Sequence, residues 1–294
     1  MTTSAPGIDI AALFDELAAQ WRPSPVDEQD DLDPARAAAL AATLDEPRLL
    51  QTESELPAPW QWIYFQNWPA TGDLGPDGHP LRGALLPPLP HRTRMFAGAR
   101  MTIDRPLILG EPAAKTTTVT AVRHKHGQSG HLLFVTVTHR YTQAENLCIT
   151  EEQDIVYRSG AAHTSPQSHT SDLPSAEAGV RFIEPQFSPA SLFRFSALTA
   201  NSHRIHYDHP YATGTEGYPN LVVHGPLLAM HMASLLESQQ HTLRHFEFRL
   251  QAPVFLGDVI RIEARPTTDG GATLIKVISA ADTVHASARA RFTT

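Results

Sequence analysis

The chain is 294 residues long, 41% hydrophobic and 18% charged, the composition of a globular protein able to bury a substantial core. With 31 acidic against 23 basic residues the formal charge is −8, which argues against general attraction to nucleic acid or to anionic membrane surfaces. Cys148 is the single cysteine, so neither a disulfide nor a cysteine-based zinc or iron–sulfur centre can form within one chain.

The first residues, MTTSAPGIDIAALFDELAAQW, have no basic leader region and no long apolar stretch, and Asp9, Asp15 and Glu16 oppose a mitochondrial transit peptide. No run approaches the roughly 20 apolar residues that cross a bilayer. A cytoplasmic, membrane-free protein is the expectation. Two helices are predicted near the start, from Ile8 to Trp21 and from Asp33 to Leu44; Asp33-Pro34 supplies an N-cap followed by proline at the first helical position. Residues 66–93, rich in Gly and Pro, read as an irregular loop.

From Met101 the pattern turns to strands. MTIDRPLIL, KTTTVTAV, HLLFVTVTHRY and LCITEEQDIVYR are rich in β-branched and apolar residues and are parted by turn clusters such as the one at 126–130. A polar stretch at 161–180 has the composition of a linker, dividing a 1–160 N-terminal domain from a 181–294 C-terminal one. In the second half Gly225-Pro226 opens a helix in which Leu228, Met232 and Leu235 form an apolar stripe. Four more strand-like runs follow: HFEFRLQAPVF, DVIRIEARP, ATLIKVISA and VHASARARF, with Asp269-Gly270-Gly271 as a hairpin turn.

The halves echo each other. RPLILGE at 105–111 and APVFLGD at 252–258 share a pattern in which Pro106 matches Pro253 and Gly110 matches Gly257, both 147 positions on. Together with the matching strand order this points to duplication of one unit, each a helix followed by antiparallel strands. Two sheets around two central helices are the expected α+β architecture.

A cluster of histidines begins the second half. FRFSALTANSHRIHYDHPYA places His203, His206 and His209 three residues apart, and His224 follows in LVVHGPLL. As metal ligands the first three would need one helical face, and Pro210 disfavours helical geometry at His209, so no metal is assigned.

These residues resemble the MaoC-like double-hotdog hydratases and dehydratases of acyl thioesters. Within that family they look like the branch of mesaconyl- and itaconyl-CoA hydratases and mitochondrial-type 3-hydroxyacyl-thioester dehydratases. FRFSALTANSHRIHYDHPYA with EGYPNLVVHGPLL carries the resemblance in the C-terminal half. MFAGARMTIDRPLILGE and ITEEQDIVYR look like the degenerate N-terminal hotdog, and the likeness covers roughly residues 8–293. It implies two fused hotdog domains imitating a dimer, and a hydro-lyase adding water to an enoyl thioester. Where the wider family has an L-S-G-D-x-N-P-I-H pattern, this chain has LTANSHRIH, so His206 matches the catalytic histidine and Asn201 stands at the aspartate.

On that basis His206 is expected to shuttle the proton and Asn201 to fix the water. The backbone N–H of Gly225 would face the enolate oxygen. His224, Arg204 and Tyr207 border them and are assigned to substrate binding, with a structural role as the alternative for each. Arg92, Arg94, Arg100 and Arg204 are candidates for the CoA phosphates, and spacing does not choose among them. The expected substrate is a short branched dicarboxylic acyl-CoA, such as itaconyl- or mesaconyl-CoA, with linear 3-hydroxyacyl thioesters as the rival. CoA is part of the substrate and no separate cofactor is implied. A homodimer or higher homo-oligomer is the expected assembly. A hotdog thioesterase and a non-catalytic acyl-CoA-binding module are the readings from other classes.

Overall fold

The computed structural model describes residues 9–81, 83, 85–87, 89, 93–127, 130–158, 173, 175–177, 179–237, 242–280 and 283–292. After α1 (Ile10–Gln20), the N-terminal half runs β1 (Val26–Asp30), α2 (Pro34–Thr43), β2 (Glu55–Leu56), β3 (Thr93–Ile103), β4 (Leu107–Ile108), β5 (Ala113–Gly127), β6 (Gly130–Gln143) and β7 (Asn146–Arg158). The C-terminal half runs β8 (Arg181–Ile183), α3 (Pro189–Leu198), α4 (His209–Gly214), α5 (Gly225–Glu237), β9 (Leu243–Leu250), β10 (Ile260–Pro266), β11 (Thr273–Ser279) and β12 (Val284–Phe292). Most of the 161–180 linker lies outside the described residues.

Ten strands form one antiparallel sheet in the order β1-β5-β6-β7-β3-β9-β12-β11-β10-β8. Read from either edge inward, the order is edge strand, hairpin, hairpin partner, last strand, first long strand, so the two halves are related by a pseudo-twofold between β3 and β9. The expected separate sheets are therefore fused, through pairs such as Met101↔Phe246 and Arg100↔Glu247. Gly98 makes the join possible. Its φ is 153°, and a Cβ there would lie 2.2 Å from the Phe248 carbonyl oxygen.

The central helix α5 is buried almost all round. Leu227, Leu228, Met230, Met232, Leu235 and Leu236 are each 6% exposed or less. Each such side chain contributes about 1.5–3 kcal/mol by burial. Among the described residues the N-terminal half has no helix of this kind. Where α5 follows the bridge Val222↔Phe255, the N-terminal half follows the equivalent β2–β4 pairing with only a 3-10 turn, Trp60–Ile63. That turn is pinned by the buried carboxylate of Glu151, which accepts from Trp62 Nε1 (2.7 Å) and Gln61 Nε2 (3.2 Å), and also from Tyr141 Oη (3.1 Å) and Gln153 Nε2 (2.7 Å). Of the two central helices expected, the N-terminal one is thus a single turn.

The loss of that helix leaves chain to spare. Residues 76–79 of the loop that follows reach across to the other half, where Arg204 N donates to Asp77 O at 2.9 Å.

Candidate active site

The site is built where α3 ends. Ser188 caps α3 by accepting from Ser191 N (3.1 Å), with Pro189 in the first turn, and the helix stops at Thr199. Ala200 then adopts φ 48°, and Asn201 N donates to Ser196 O at 2.8 Å. A left-handed residue normally favours glycine, and here it turns the chain sharply so that Asn201 starts a new direction. Asn201 Oδ1 accepts from His203 N at 3.1 Å, immediately before the 3-10 turn Arg204–His206. The residue expected to fix water therefore also shapes the approach to the turn that carries His206.

His206 is 8% exposed, and its Nδ1 lies 2.7 Å from the Val222 carbonyl oxygen. A carbonyl can only accept, so Nδ1 carries the proton, and the neutral ring presents a bare Nε2 lone pair. The backbone closes the same bracket, Val222 N donating to Ile205 O at 3.0 Å. Burial, against the Val222 bond and with a smaller push from His79, holds His206 down to about 4. The ring is thus an uncharged base at neutral pH.

His224 stacks on it with centroids 3.7 Å apart and planes 17° from parallel. Its Nε2 is 2.8 Å from Ser196 Oγ, and the residue is 1% exposed. It backs the His206 ring from beneath rather than lining an open surface. Gly225 is the next residue and begins α5, so its N–H belongs to the first turn, whose donors the helix itself leaves unmatched. A Cβ at Gly225 would come within 2.2 Å of Leu250 Cδ1, so packing as well as backbone access calls for glycine.

Arg204 is committed elsewhere. Its guanidinium binds Asp208 Oδ2 (2.7 Å from Nη2) and Pro76 O, and lies over the Tyr211 ring at 4.1 Å. Tyr207 is 43% exposed and donates to Ser202 O at 2.9 Å. Both brace the turn. His209 is the first residue of α4 and Asp208 its N-cap, with Pro210 in the first turn, where its missing N–H costs nothing. Helical geometry at His209, which the following proline was expected to disfavour, is therefore accommodated. Of the arginines considered for CoA phosphates, Arg100 pairs with Glu152 and Asp154, and Arg92 lies outside the described residues.

The loop 72–81 contributes residues that sequence reading missed. Gly78, at φ 87°, meets Ser202 so closely that a Cβ would lie 1.8 Å from its carbonyl oxygen. Ser202 Oγ donates to Gly78 O, and Arg204 N donates to Asp77 O at 2.9 Å. This seats His79 on His203 with centroids 4.1 Å apart, and His203 in turn meets His206 edge-on at 5.6 Å. Asp77 Oδ2 is 2.8 Å from His79 Nδ1. The sequence reading gave this stretch only as part of an irregular Gly- and Pro-rich loop, and its docking on the other half was not foreseen.

Asp77, His79 and His203 each offer a ligand atom within 4.8 Å of the others, a grouping a divalent cation could use. Two features oppose that use. The Asp77 carboxylate already accepts the ring and backbone N–H groups of His79. The two rings also lie face to face, 35° from parallel, so their in-plane lone pairs do not converge on one point.

Only one of the two corresponding stretches carries the candidate residues. The stretch after α3 carries Asn201, His203 and His206; the corresponding stretch after α2, residues 44–54, contains no histidine. A buried imidazole beside a central-helix N-terminus, in two fused hotdog units, defines a hydratase–dehydratase of the double-hotdog class.

Comparison with known proteins agrees. The family model for hydroxyacyl-thioester dehydratase type 2 matches residues 59–256. The chain is 46% identical over 245 residues to mesaconyl-C(4)-CoA hydratase of Chloroflexus aurantiacus, covering 82% of this chain and 86% of that one. Among solved structures, a MaoC-like dehydratase superposes with a TM-score of 0.68 at 14% identity, covering 94% and 99% of the two chains. A conserved Mycobacterium tuberculosis protein with a double hotdog fold gives 0.53 at 18% identity, covering 95% and 96%. The chain belongs to the hydroxyacyl-thioester dehydratase type 2 family, and it is a hydro-lyase. No helix among the described residues is long and apolar enough to cross a membrane.

Proposed function

We propose that the protein reversibly hydrates an enoyl-CoA, with His206 as the single proton-transfer group. Water held between Asn201 and His206 attacks the β-carbon and gives its proton to Nε2. Electron density moves onto the thioester oxygen, which the Gly225 N–H and the positive end of α5 stabilise. For an α,β-unsaturated ester such as mesaconyl-C4-CoA the resulting imidazolium returns the proton to the α-carbon, so atoms and charge balance and the ring ends neutral. Itaconyl-CoA, whose double bond is not conjugated with the thioester, would first be isomerised to that ester, the same imidazole taking a proton from the α-carbon and delivering it to the terminal methylene. The stacked, uncharged His224 face favours the cation in transit. Dehydration is the same path reversed. Proton transfer and oxyanion stabilisation are both supplied by the chain's own groups, so the proposal includes no metal or redox cofactor.

The observation that carries this reading is the His206 Nδ1–Val222 bond, which leaves one unprotonated nitrogen on a buried, neutral ring. The likeness to mesaconyl-C(4)-CoA hydratase supports a short branched dicarboxylic acyl-CoA, mesaconyl- or itaconyl-CoA yielding citramalyl-CoA, as substrate. The family description favours linear 3-hydroxyacyl thioesters as the second reading. A panel of enoyl-CoA esters, linear and dicarboxylic, followed by loss of enoyl absorbance and by product chromatography, decides between them. Hydroxyacyl-CoA products are expected. Release of free thiol without hydration would instead identify a thioesterase.

A further inference from the structure

The inner face of a sheet has to be covered, and the two halves cover theirs differently. The pseudo-twofold sets β5 and β6 against β10 and β11. In the C-terminal half α5 packs on β10 and β11; in the N-terminal half α1 packs on β5 and β6. Ile10, Leu13, Phe14, Leu17, Ala18 and Trp21 recur at helical spacing along α1 and its C-terminal end, and Phe14 is fully buried in one cluster with Val119, Leu133 and Val135. Along β6, Leu133, Val135 and Val137 share a face with Tyr141, whose hydroxyl meets the Glu151 carboxylate that pins the Trp60–Ile63 turn. Helix α1 and that turn therefore stand on the same inner face, and the buried residues around them form two separate cores.

The strip between the cores leads from the reacting groups to α1. It begins at Leu250, which a Cβ on Gly225 would strike. Phe248, two residues earlier on the same face of β9, packs on Phe96 of β3 with ring centroids 5.8 Å apart. Phe96 is opposite Ile155 of β7, and Ile155 is opposite Val135 of β6. Leu250, Phe96 and Ile155 are apolar and only partly buried, whereas Val135 is fully buried in the core that holds Phe14. An acyl chain leaving a thioester at Gly225 thus has an apolar floor three strand spacings wide, roughly 14 Å, before it meets the core under α1.

We propose that α1 is the end wall of the acyl pocket and restricts the protein to short acyl groups. This rests on the enoyl-CoA hydratase reading given above and favours its short acyl-CoA over long linear chains. The wall is anchored at both ends. Asp15 Oδ1 lies 2.8 Å from His124 Nδ1 on β5, and Trp21 Nε1 donates to Leu85 O at 2.8 Å. Leu85 belongs to the same loop as His79, which stacks on His203, and Tyr157 of β7 donates to Pro87 O at 3.3 Å. One loop therefore ties the wall to the reacting turn.

The test is competitive inhibition by saturated linear acyl-CoAs, butyryl through decanoyl, against hydration of the best enoyl-CoA substrate. In the wild type, affinity should stop rising, or fall, once the chain outgrows the floor. In Phe14→Ala, which cuts the wall back, decanoyl-CoA should gain roughly tenfold or more over butyryl-CoA relative to the wild type, as burial of a few further methylenes implies. If wild-type affinity climbs through decanoyl-CoA without a break, there is no wall and the inference fails alone. It also fails alone if the break is present but folded Phe14→Ala leaves it unmoved. If no enoyl-CoA, linear or dicarboxylic, is hydrated, the hydratase reading fails and takes the inference with it. Should Phe14→Ala not fold, Phe14→Leu and Leu17→Ala are measured in its place, and a break unmoved in both overturns the inference.

Discussion

His206 is held in one tautomer by the Val222 carbonyl and in one orientation by the His224 ring beneath it. Its position depends on a strained neighbour. Ala200, at φ 48°, takes a backbone conformation that costs a non-glycine residue about 1 kcal/mol, and it redirects the chain from α3 into the reacting turn. Ala200→Gly should therefore be neutral or stabilising by up to ~1 kcal/mol in denaturant unfolding, while Ala200→Val should destabilise by more. A destabilising glycine would show that the turn is not strained. At this scale the sequence was informative for His206 and Gly225, whose surroundings form a long motif. It was silent on Asp77 and His79, because a Pro-Asp-Gly turn reads the same wherever it docks.

Among the elements, α5 carries the proposed oxyanion donor and the core together. Leu250, the last residue of β9, fills the space where a Gly225 side chain would project. Gly225→Ala should cost about 1 kcal/mol, the low end for overpacking because the clashing Leu250 methyl belongs to a partly buried side chain that can move, and should lower kcat. Adding Leu250→Ala should restore part of the stability without restoring the rate, as unfolding and steady-state assays on the two variants would show. Full recovery of rate in the double variant would mean that the glycine matters only for packing.

The long strands were legible because apolar and β-branched residues fill them, and the hairpin at Asp269-Gly270-Gly271 has its glycine at φ 67° as expected. MTIDRPLIL, read as one strand, is broken at Asp104-Arg105-Pro106 into β3 and β4. Two edge strands escaped notice. β1, Val-Asp-Glu-Gln-Asp, is held by backbone pairing to β5 and has no hydrophobic signature of its own. Helix α3 also escaped, although Ser188-Pro189 repeats the Asp33-Pro34 device at the start of α2.

Over the whole molecule, duplication explains the sheet order and divergence explains the function. Trp62 on the shortened turn packs against Phe96 of the N-terminal half and Phe248 of the C-terminal half, so the lost helix has become part of the join. The many buried neutral histidines give the fold a sign in pH. His206 and His231 are each held at about 4, and burial is the largest cause in both. Their ordinary value is near 6.5, so between pH 6.5 and 4 the unfolded chain binds protons that the folded chain refuses. Stability should fall as pH drops through that window, by up to ~1.4 kcal/mol per pH unit for each such group. Melting temperatures measured from pH 7.5 to 4.5 should decline, and His231→Leu, remote from the reacting ring, should flatten the slope. A curve flat or rising toward acid would contradict the burial of these rings as neutral groups.

The claim on which the mechanism stands is that one neutral imidazole moves the proton. Its most direct test is the single-turnover hydration rate of the best enoyl-CoA substrate in His206→Asn, with circular dichroism confirming the fold. The account expects a fall of roughly a thousandfold or more with substrate binding largely kept. A rate within tenfold of the wild type would contradict it.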